Sequence, residues 1–287
     1  MENMDKNVTI WAHTLVKNEA RYLWYSVASV INYVDKVLLW DDNSFDITPQ
    51  IAAELRKMYP DKIDYKRVDS GQDPFAFTKI RQEMLTQTDS DWLLILDGDE
   101  VWWEDSIKAV RKLIEERGSE LETIVNPYYN LVGDIFHYQD ESAGSYKIDG
   151  KVGHITVRAI NTKIPGLHID KPHGRQGFYD GDGRPIQERD ASKRKFLDVR
   201  YLHFTHLVRS ESREKDEDVQ KRGMKLKYEL GNAFPLDFYY PEVFFRERPA
   251  MVPTPWERVN KRFLLRAFFE TPLRRVRRKI IKPKSGY

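Results

Sequence analysis

Two sets of carboxylates mark where this chain could do chemistry. Trp92-Leu93-Leu94-Ile95-Leu96 runs straight into Asp97-Gly98-Asp99-Glu100, and Val37-Leu38-Leu39-Trp40 runs into Asp41-Asp42-Asn43-Ser44. Each is a short apolar run, of the length of a buried strand, that stops abruptly in acids. Hard oxygen donors one residue apart, as in Asp97 and Asp99, suit Mg²⁺ or Mn²⁺, above all where a diphosphate supplies the remaining ligands. Gly98 permits a tight turn at the strand's carboxyl end, where open α/β sheets place their ligands. The competing reading is a solvated strand end that charges the helix start at Glu104-Asp105-Ser106.

Acids at two strand ends meet only if the strands lie side by side and point the same way, and the flanking sequence supplies that arrangement. Val8 to Val16 is rich in β-branched and aromatic residues and reads as a first strand. A helix follows from about Ala20 to Val34, with Leu23, Val27, Val30 and Ile31 at helical spacing. Asp46 and Thr48-Pro49 cap a second helix ending near Met58. Lys62 to Val68 forms a third strand, and a helix from about Phe75 to Thr88 carries Lys79 and Arg81. Strand and helix alternate up to Trp92, which predicts an α/β fold with a mostly parallel, doubly wound central sheet flanked by helices. Both sets of acids then emerge along one edge of it.

Composition sets the outer bounds. With 287 residues, 40% of them hydrophobic, one α/β domain with appendages is expected. The absence of Cys excludes disulfides and thiolate metal sites and suits a reducing compartment. The stretch Met1 to Val8 lacks a signal-peptide core, and no apolar run reaches bilayer length. A net charge of +2 is nearly neutral, but the last part of the chain is strongly basic.

Three pieces in order carry a family resemblance: Thr14-Leu15-Val16-Lys17-Asn18-Glu19, Asp41-Asp42-Asn43-Ser44-Phe45-Asp46-Ile47-Thr48, and Leu96-Asp97-Gly98-Asp99-Glu100. Residues 8 to about 115 resemble the nucleotide-binding half of a glycosyltransferase family 2 enzyme with the Rossmann-like GT-A fold, of a bacterial envelope-glycan branch. The resemblance implies a catalytic domain over 1–230, with an acceptor half at about 116–230, and a helical, basic C-terminal extension over 231–287. It also assigns roles. Asp42, with Asp41 beside it, would hold the nucleotide base, and Leu15 or Val16 would give it backbone contacts. Lys79 and Arg81 would line the pocket near the diphosphate. Asp99 would ligate Mn²⁺ or Mg²⁺ directly, while Asp97 would contact the sugar or ribose and reach the metal through water. Glu100 would reach the donor sugar or charge the following helix N-terminus, the second being the preferred reading.

The second half is less regular. Glu104 to Arg117 is a helix with Ile107, Val110, Leu113 and Ile114 as its buried stripe. Trp102 and Trp103 stand beside the acids, one for the core and one for a sugar wall. Glu122 to Val132 reads as a strand, and 133–150 as a loop or flap. Val152 to Ile160, with Arg158, and Ile164 to Asp170 read as a strand pair. The same branch has a His and an acid after such a strand. That resemblance offers Asp170 as general base of an inverting transfer, oriented by His168 or His173, with Asp190 as rival. Asp180-Gly181-Asp182-Gly183 repeats the acid spacing but sits among turn residues and is read as a turn. Val199 to His206 is strand-like, and many GT-A enzymes take a late His as third metal ligand, so His203 is assigned there, ahead of His206. A charged helix is expected after Arg209-Ser210, to about Leu230.

The tail interleaves aromatic and basic residues from Phe238 to Lys282. It reads as a segment for an anionic membrane surface, at about 1 kcal/mol per basic residue; RNA binding and simple packing on the domain are the rivals. Together these readings give a metal-dependent transferase moving a sugar from a nucleotide-diphosphate donor, UDP-linked by expectation, to a hydroxyl of a glycan or lipid-linked acceptor. The enzyme would be cytoplasmic, at the inner face of the plasma membrane, with nucleic acid disfavoured as partner. The alternative is an inactive nucleotide- or glycan-binding relative. A haloacid dehalogenase-type phosphatase is disfavoured because Val101 stands where that class needs a Thr or similar residue.

Overall fold

The computed structural model of the chain describes residues 8–71, 73–172, 174–219, 221–280 and 284–285. His173 and most of the stretch from Met1 to Val8 lie outside the described residues. The first half alternates as the sequence predicts. β1 (Ile10–Val16), α1 (Leu23–Val30), β2 (Lys36–Asp42), α2 (Thr48–Met58), β3 (Ile63–Val68) and α3 (Ala76–Thr86) lead into β4 (Trp92–Ile95), β5 (Glu100–Trp102) and α4 (Glu104–Arg117). β3, β2, β1 and β4 lie side by side and parallel. Their apolar residues alternate between two covered faces. On one side Leu39 shares a buried cluster with Ile51 and Leu55 of α2 and Ile107 and Val110 of α4. Leu38 and Trp40 pack with Ile80 and Met84 of α3 on the other. The sheet is doubly wound, as expected.

The second half adds β6 (Thr123–Val132), β7 (Asp134–Tyr138), β8 (Tyr146–Ile148), β9 (Lys151–Gly153), β10 (Ile155–Asn161), β11 (His168–Asp170), β12 (Gly177–Tyr179), β13 (Arg194–Phe196) and β14 (Tyr201–His203). α5 (Arg213–Glu217), β15 (Asn232–Ala233), α6 (Lys261–Ile280) and β16 (Lys284–Ser285) close the chain. β10 enters the sheet antiparallel between β4 and β6. β6 is shared: its first residues pair with β10 and β13, and its later ones with β14 and β7, so the sheet curls over the end of β4.

Three expectations change. The stretch 133–150 is not one loop but carries β7 and β8. Ile164 to Asp170 does not pair with the preceding strand; β11 pairs with β12 in a separate hairpin whose Ile169 and Phe178 cover Leu93 and Ile95. The predicted helix after Ser210 is only the five-residue α5. Its polar residues bond to backbone elsewhere instead: Arg222 donates to the distant carbonyls of Lys17 and Asn18, and the buried Asp216 accepts from the nearby amides of Arg209 and Ser210. Asp180 to Gly183 is a turn, as read, with Asp180 accepting from the amides of Asp182 and Arg184.

The segment before α6 packs on the main body of the fold. Phe234 stacks on Phe238 at 3.8 Å, and Val243 and Phe244 join the main core. α6 then lies across the outside, with Ala267 and Thr271 buried. Thr271 Oγ1 accepts the amide of Leu230, and Arg278 forms a two-pronged pair with Glu229. Glu229 accepts from Gln139, and Gln139 accepts from Asn130, which lies opposite His203 in the β6–β14 ladder.

Candidate active site

The loops after β1 and β2 are sewn together by the residues of the second motif. Ser44 Oγ accepts the amide of Asn18 at 2.8 Å, Thr48 Oγ1 that of Glu19 at 2.7 Å, and Asp46 that of Ala20 at 3.3 Å. Asp41 in turn holds the amide of Ser44. Asn18 and Asn43 both take the left-handed backbone, each with φ of 51°, which Asn tolerates. Much of the signature thus serves as scaffold, and it delivers Glu19 to the site.

Asp97, Gly98 and Asp99 turn between β4 and β5. Gly98 is needed for close approach rather than for an unusual φ: a Cβ there would stand 2.8 Å from Val16 Cγ1 and 3.0 Å from Glu19 Cγ. The turn sends its acids into a ring of arginines. Arg81 of α3 donates to Asp97 Oδ1 at 3.0 Å, and Arg158 of β10 lies 3.6 Å from Oδ2. Arg158 also pairs with Glu100 and donates to the hydroxyl of Tyr201 at 2.8 Å. Arg209 donates to Asp99 Oδ2 at 2.5 Å and lies 3.3 Å from Glu19. Arg222 holds Glu19 at 2.6 Å and Asp216 at 3.1 Å. Arg158 reaches inward because β10 bulges there, its register shifting between Val157 and Ala159.

These guanidinium groups set the charge state of the site. Burial opposes the charge of Asp99, but Arg209 and then His203 outweigh it and hold the carboxyl well below its usual range. The same balance, with Arg81 and Arg158 as the cations, lowers Asp97, a third of whose side chain is open to solvent. Arg158 stays a cation despite its burial because Glu100, Tyr201 and Asp97 surround it.

The assigned residues fall in three places. Asp97, Asp99, Arg81 and His203 come together: His203 Nε2 lies 3.6 Å from Asp99 Oδ2, and its Nδ1 is buried without a hydrogen-bond partner. Leu15 lies one strand over, on β1, and Asp41 and Asp42 two strands over, on β2, all buried. Asp42 accepts from the amide and hydroxyl of Ser70 at 2.6 and 2.7 Å and faces Lys17 at 3.4 Å; Asp41 faces Tyr65 and Arg67. Asp170, His168 and Lys79 form the third place. His168 and Asp170 share one face of β11, and Asp170 pairs with Lys171 at 3.1 Å. With Lys79, Thr78 and Gln82 of α3, Asp170 lines a cavity of about 540 Å³. Lys79 is largely exposed and bonds Asp73 at 2.9 Å. His206 faces away from Asp99, bonded to the carbonyl of Lys225 and to Asn130 and Lys227. Asp190 caps a turn through the amide of Ser192.

Glu100 corrects the sequence reading. It is wholly buried against Arg158 rather than charging the start of α4, whose first turn has Glu104 and Asp105. Arg158, Arg209, Arg222 and Glu19 were not assigned as site residues. Arg158 left a signal in being a lone charge inside the apolar run of β10. Arg222 left none.

A divalent cation is tested by the donor set itself. Asp99 Oδ2 and His203 Nε2, 3.6 Å apart, fit two positions around one ion with bonds of about 2.1 Å. Arg209 shares that carboxylate oxygen, and Asp97 is turned to Arg81 and Arg158. Among the described residues no group of three or more His, Cys, Asp or Glu is placed to hold a metal.

Comparison with known proteins places the chain. The model of the family described as glycosyl transferase family 2 matches residues 13–170. A TPR repeat-containing protein of Synechococcus elongatus is 24% identical over 55% of this chain and 33% of its own length. The minor teichoic acid biosynthesis protein GgaA of Bacillus subtilis is 24% identical over 51% of this chain and 31% of its own. The chain thus matches about a third of the length of these curated relatives. A crystal structure of S. aureus TarS residues 1–349 aligns with 69% of this chain and 61% of its own, at 13% identity and a TM-score of 0.44. The same protein in complex with UDP-GlcNAc aligns over 69% and 58%, at 12% identity and a TM-score of 0.44.

Proposed function

The chain belongs to glycosyl transferase family 2, and from that premise we propose that it moves a sugar from a nucleotide-diphosphate donor, UDP-linked, to a hydroxyl of a glycan or lipid-linked acceptor. One observation carries the reading: two acids and three guanidinium groups converge where the parallel strands β1 and β4 end. Such a cluster meets both halves of a nucleotide sugar, with hydrogen-bond acceptors for its hydroxyls and cations for its diphosphate.

In this reading Asp42, steadied by Ser70, takes the base, with Leu15 or Val16 giving backbone contacts and Asp41 beside it, held by Tyr65 and Arg67. Asp97 accepts from the ribose or the sugar, its orientation fixed by Arg81 and Arg158. Asp99 and His203 would hold Mn²⁺ or Mg²⁺, with Asp97 reaching it through water. Such an ion supplies Lewis-acid stabilisation of the departing diphosphate. Arg209, released from Asp99, turns to a phosphate oxygen. Asp170 deprotonates the acceptor hydroxyl in an inverting transfer, with His168 on the same strand face to orient it. Lys171, bonded to Asp170, keeps it below the usual carboxylate range and so ionised at neutral pH. The name of the Bacillus subtilis relative, a teichoic acid biosynthesis protein, supports a cell-envelope polymer as acceptor class. A lipid-linked acceptor of that class would place the enzyme in the cytoplasm, at the inner face of the membrane.

Calorimetric titration with UDP, with and without Mn²⁺, tests the donor site, and release of UDP from UDP-sugars tests turnover. Metal-dependent binding with turnover is the expected result. Binding without turnover in the presence of envelope acceptors would favour the inactive relative, and no binding of any nucleotide would overturn the assignment.

A further inference from the structure

We propose that α6 is a docking surface for an anionic lipid bilayer, lying flat in the headgroup region. Leu265, Phe268, Phe269, Leu273, Val276 and Ile280 are 60–77% exposed. At 3.6 residues per turn they share one arc of about 140°. The inward side is defined independently: Ala267 and Thr271 are buried there, and Arg278 holds Glu229. The apolar arc is therefore the outward face, which inverts the pattern of a helix that simply packs on its own domain.

Charge identifies the occupant. α6 carries eight Lys and Arg against a single acid, Glu270, which Arg266 and Arg274 hold at 2.5 and 2.6 Å. Arg277 borders the apolar arc on one side and Arg275 on the other, while Arg262 and Lys279 lie within it near its edges, and all four are exposed. An apolar face flanked on both sides by cations matches the interface of a bilayer, acyl chains below and anionic headgroups beside. A second copy fits poorly, because equal basic borders would repel. RNA fits poorly too, because four of the six outward side chains are aliphatic and offer no ring for a base to stack upon. Among the described residues no helix is long and apolar enough to cross a membrane, so α6 lies on the surface. The bonds from Thr271 and Arg278 to Leu230 and Glu229 make the catalytic body follow the helix onto the membrane.

The test is flotation of the full chain with phosphatidylcholine vesicles, with and without about 30% phosphatidylglycerol. Binding should be at least about tenfold stronger to the anionic vesicles and fall with salt. Phe269→Glu with Leu273→Glu should abolish it while leaving the thermal midpoint unchanged, since both side chains face outward. Arg275→Glu with Arg277→Glu should weaken it at low salt. Equal binding of the Phe269→Glu, Leu273→Glu protein, or equal binding to uncharged vesicles, would overturn the proposal. So would loss of the exposed face to a stable dimer in sedimentation without lipid, or binding to single-stranded RNA but not to vesicles. UDP binding is read separately, so failure here leaves the donor site untouched.

Discussion

Arg209 Nη1 stands 2.5 Å from Asp99 Oδ2, joining parts of the chain 110 residues apart inside the candidate active site. Both side chains are at most 8% exposed. Removing the Asp99 charge leaves Arg209 with Glu19, at 3.3 Å, as its nearest counter-ion in a poorly solvated place. Asp99→Asn should therefore destabilise the fold by about 3–5 kcal/mol. Donor turnover should fall by about a hundredfold or more. Urea unfolding and UDP release measure the two effects; a fully active, fully stable variant would remove Asp99 from the centre of the site.

Arg158 and Glu100 form the second buried pair, and here a double-mutant cycle is informative. Arg158→Met and Glu100→Leu should each be strongly destabilising alone. Combined, they should cost less than their sum by at least about 1 kcal/mol. Simple additivity in urea unfolding would mean that the pair is not formed.

Gly98→Ala tests close approach. The added Cβ would press on Val16 and on Glu19, the acid that steadies Arg209 and Arg222. A loss of about 1–3 kcal/mol is expected. UDP affinity should fall with it, read by calorimetry; wild-type behaviour in both would show that the turn relaxes freely.

His13 gives the fold a pH dependence of known sign. Burial, and then the Arg81 cation, lower its pKa from 6.5 to about 3. The unfolded chain takes up a proton below 6.5 where the folded one does not, so this stability is complete above 6.5 and lost as pH falls toward 3. The loss is about 1.4 kcal/mol per pH unit for this one group. His13→Gln should lose less of its own stability than wild type between about pH 7 and about pH 5, compared by urea midpoints.

The parallel half was readable because its signals are local. A buried parallel strand is a short apolar run, and Pro49 after Asp46 announces α2. The three motifs come together along one sheet edge, as the sequence predicts, yet what they do there was only partly visible. Ser44, Asp46 and Thr48 bond to backbone amides across the loop, a role that residue type alone does not reveal. The arginine ring was harder still. Arg158 is aimed by a bulge and Arg222 by contacts with a loop more than two hundred residues away, and neither leaves a periodic trace. The missing helix after Ser210 has the same cause: Asp216 and Arg222 look like a solvated helix face in sequence and are buried in the fold.

The line of bonds from Arg278 through Glu229, Gln139 and Asn130 bears on anyone who would shorten this chain to make it easier to handle. Cutting before α6 would remove the greasy outer face, but it would also leave Glu229 without its arginine and the amide of Leu230 without Thr271. The damage would travel along β6 to the strand position opposite His203. Recolouring the outward side chains, with the helix kept, separates handling from catalysis where truncation would confound them.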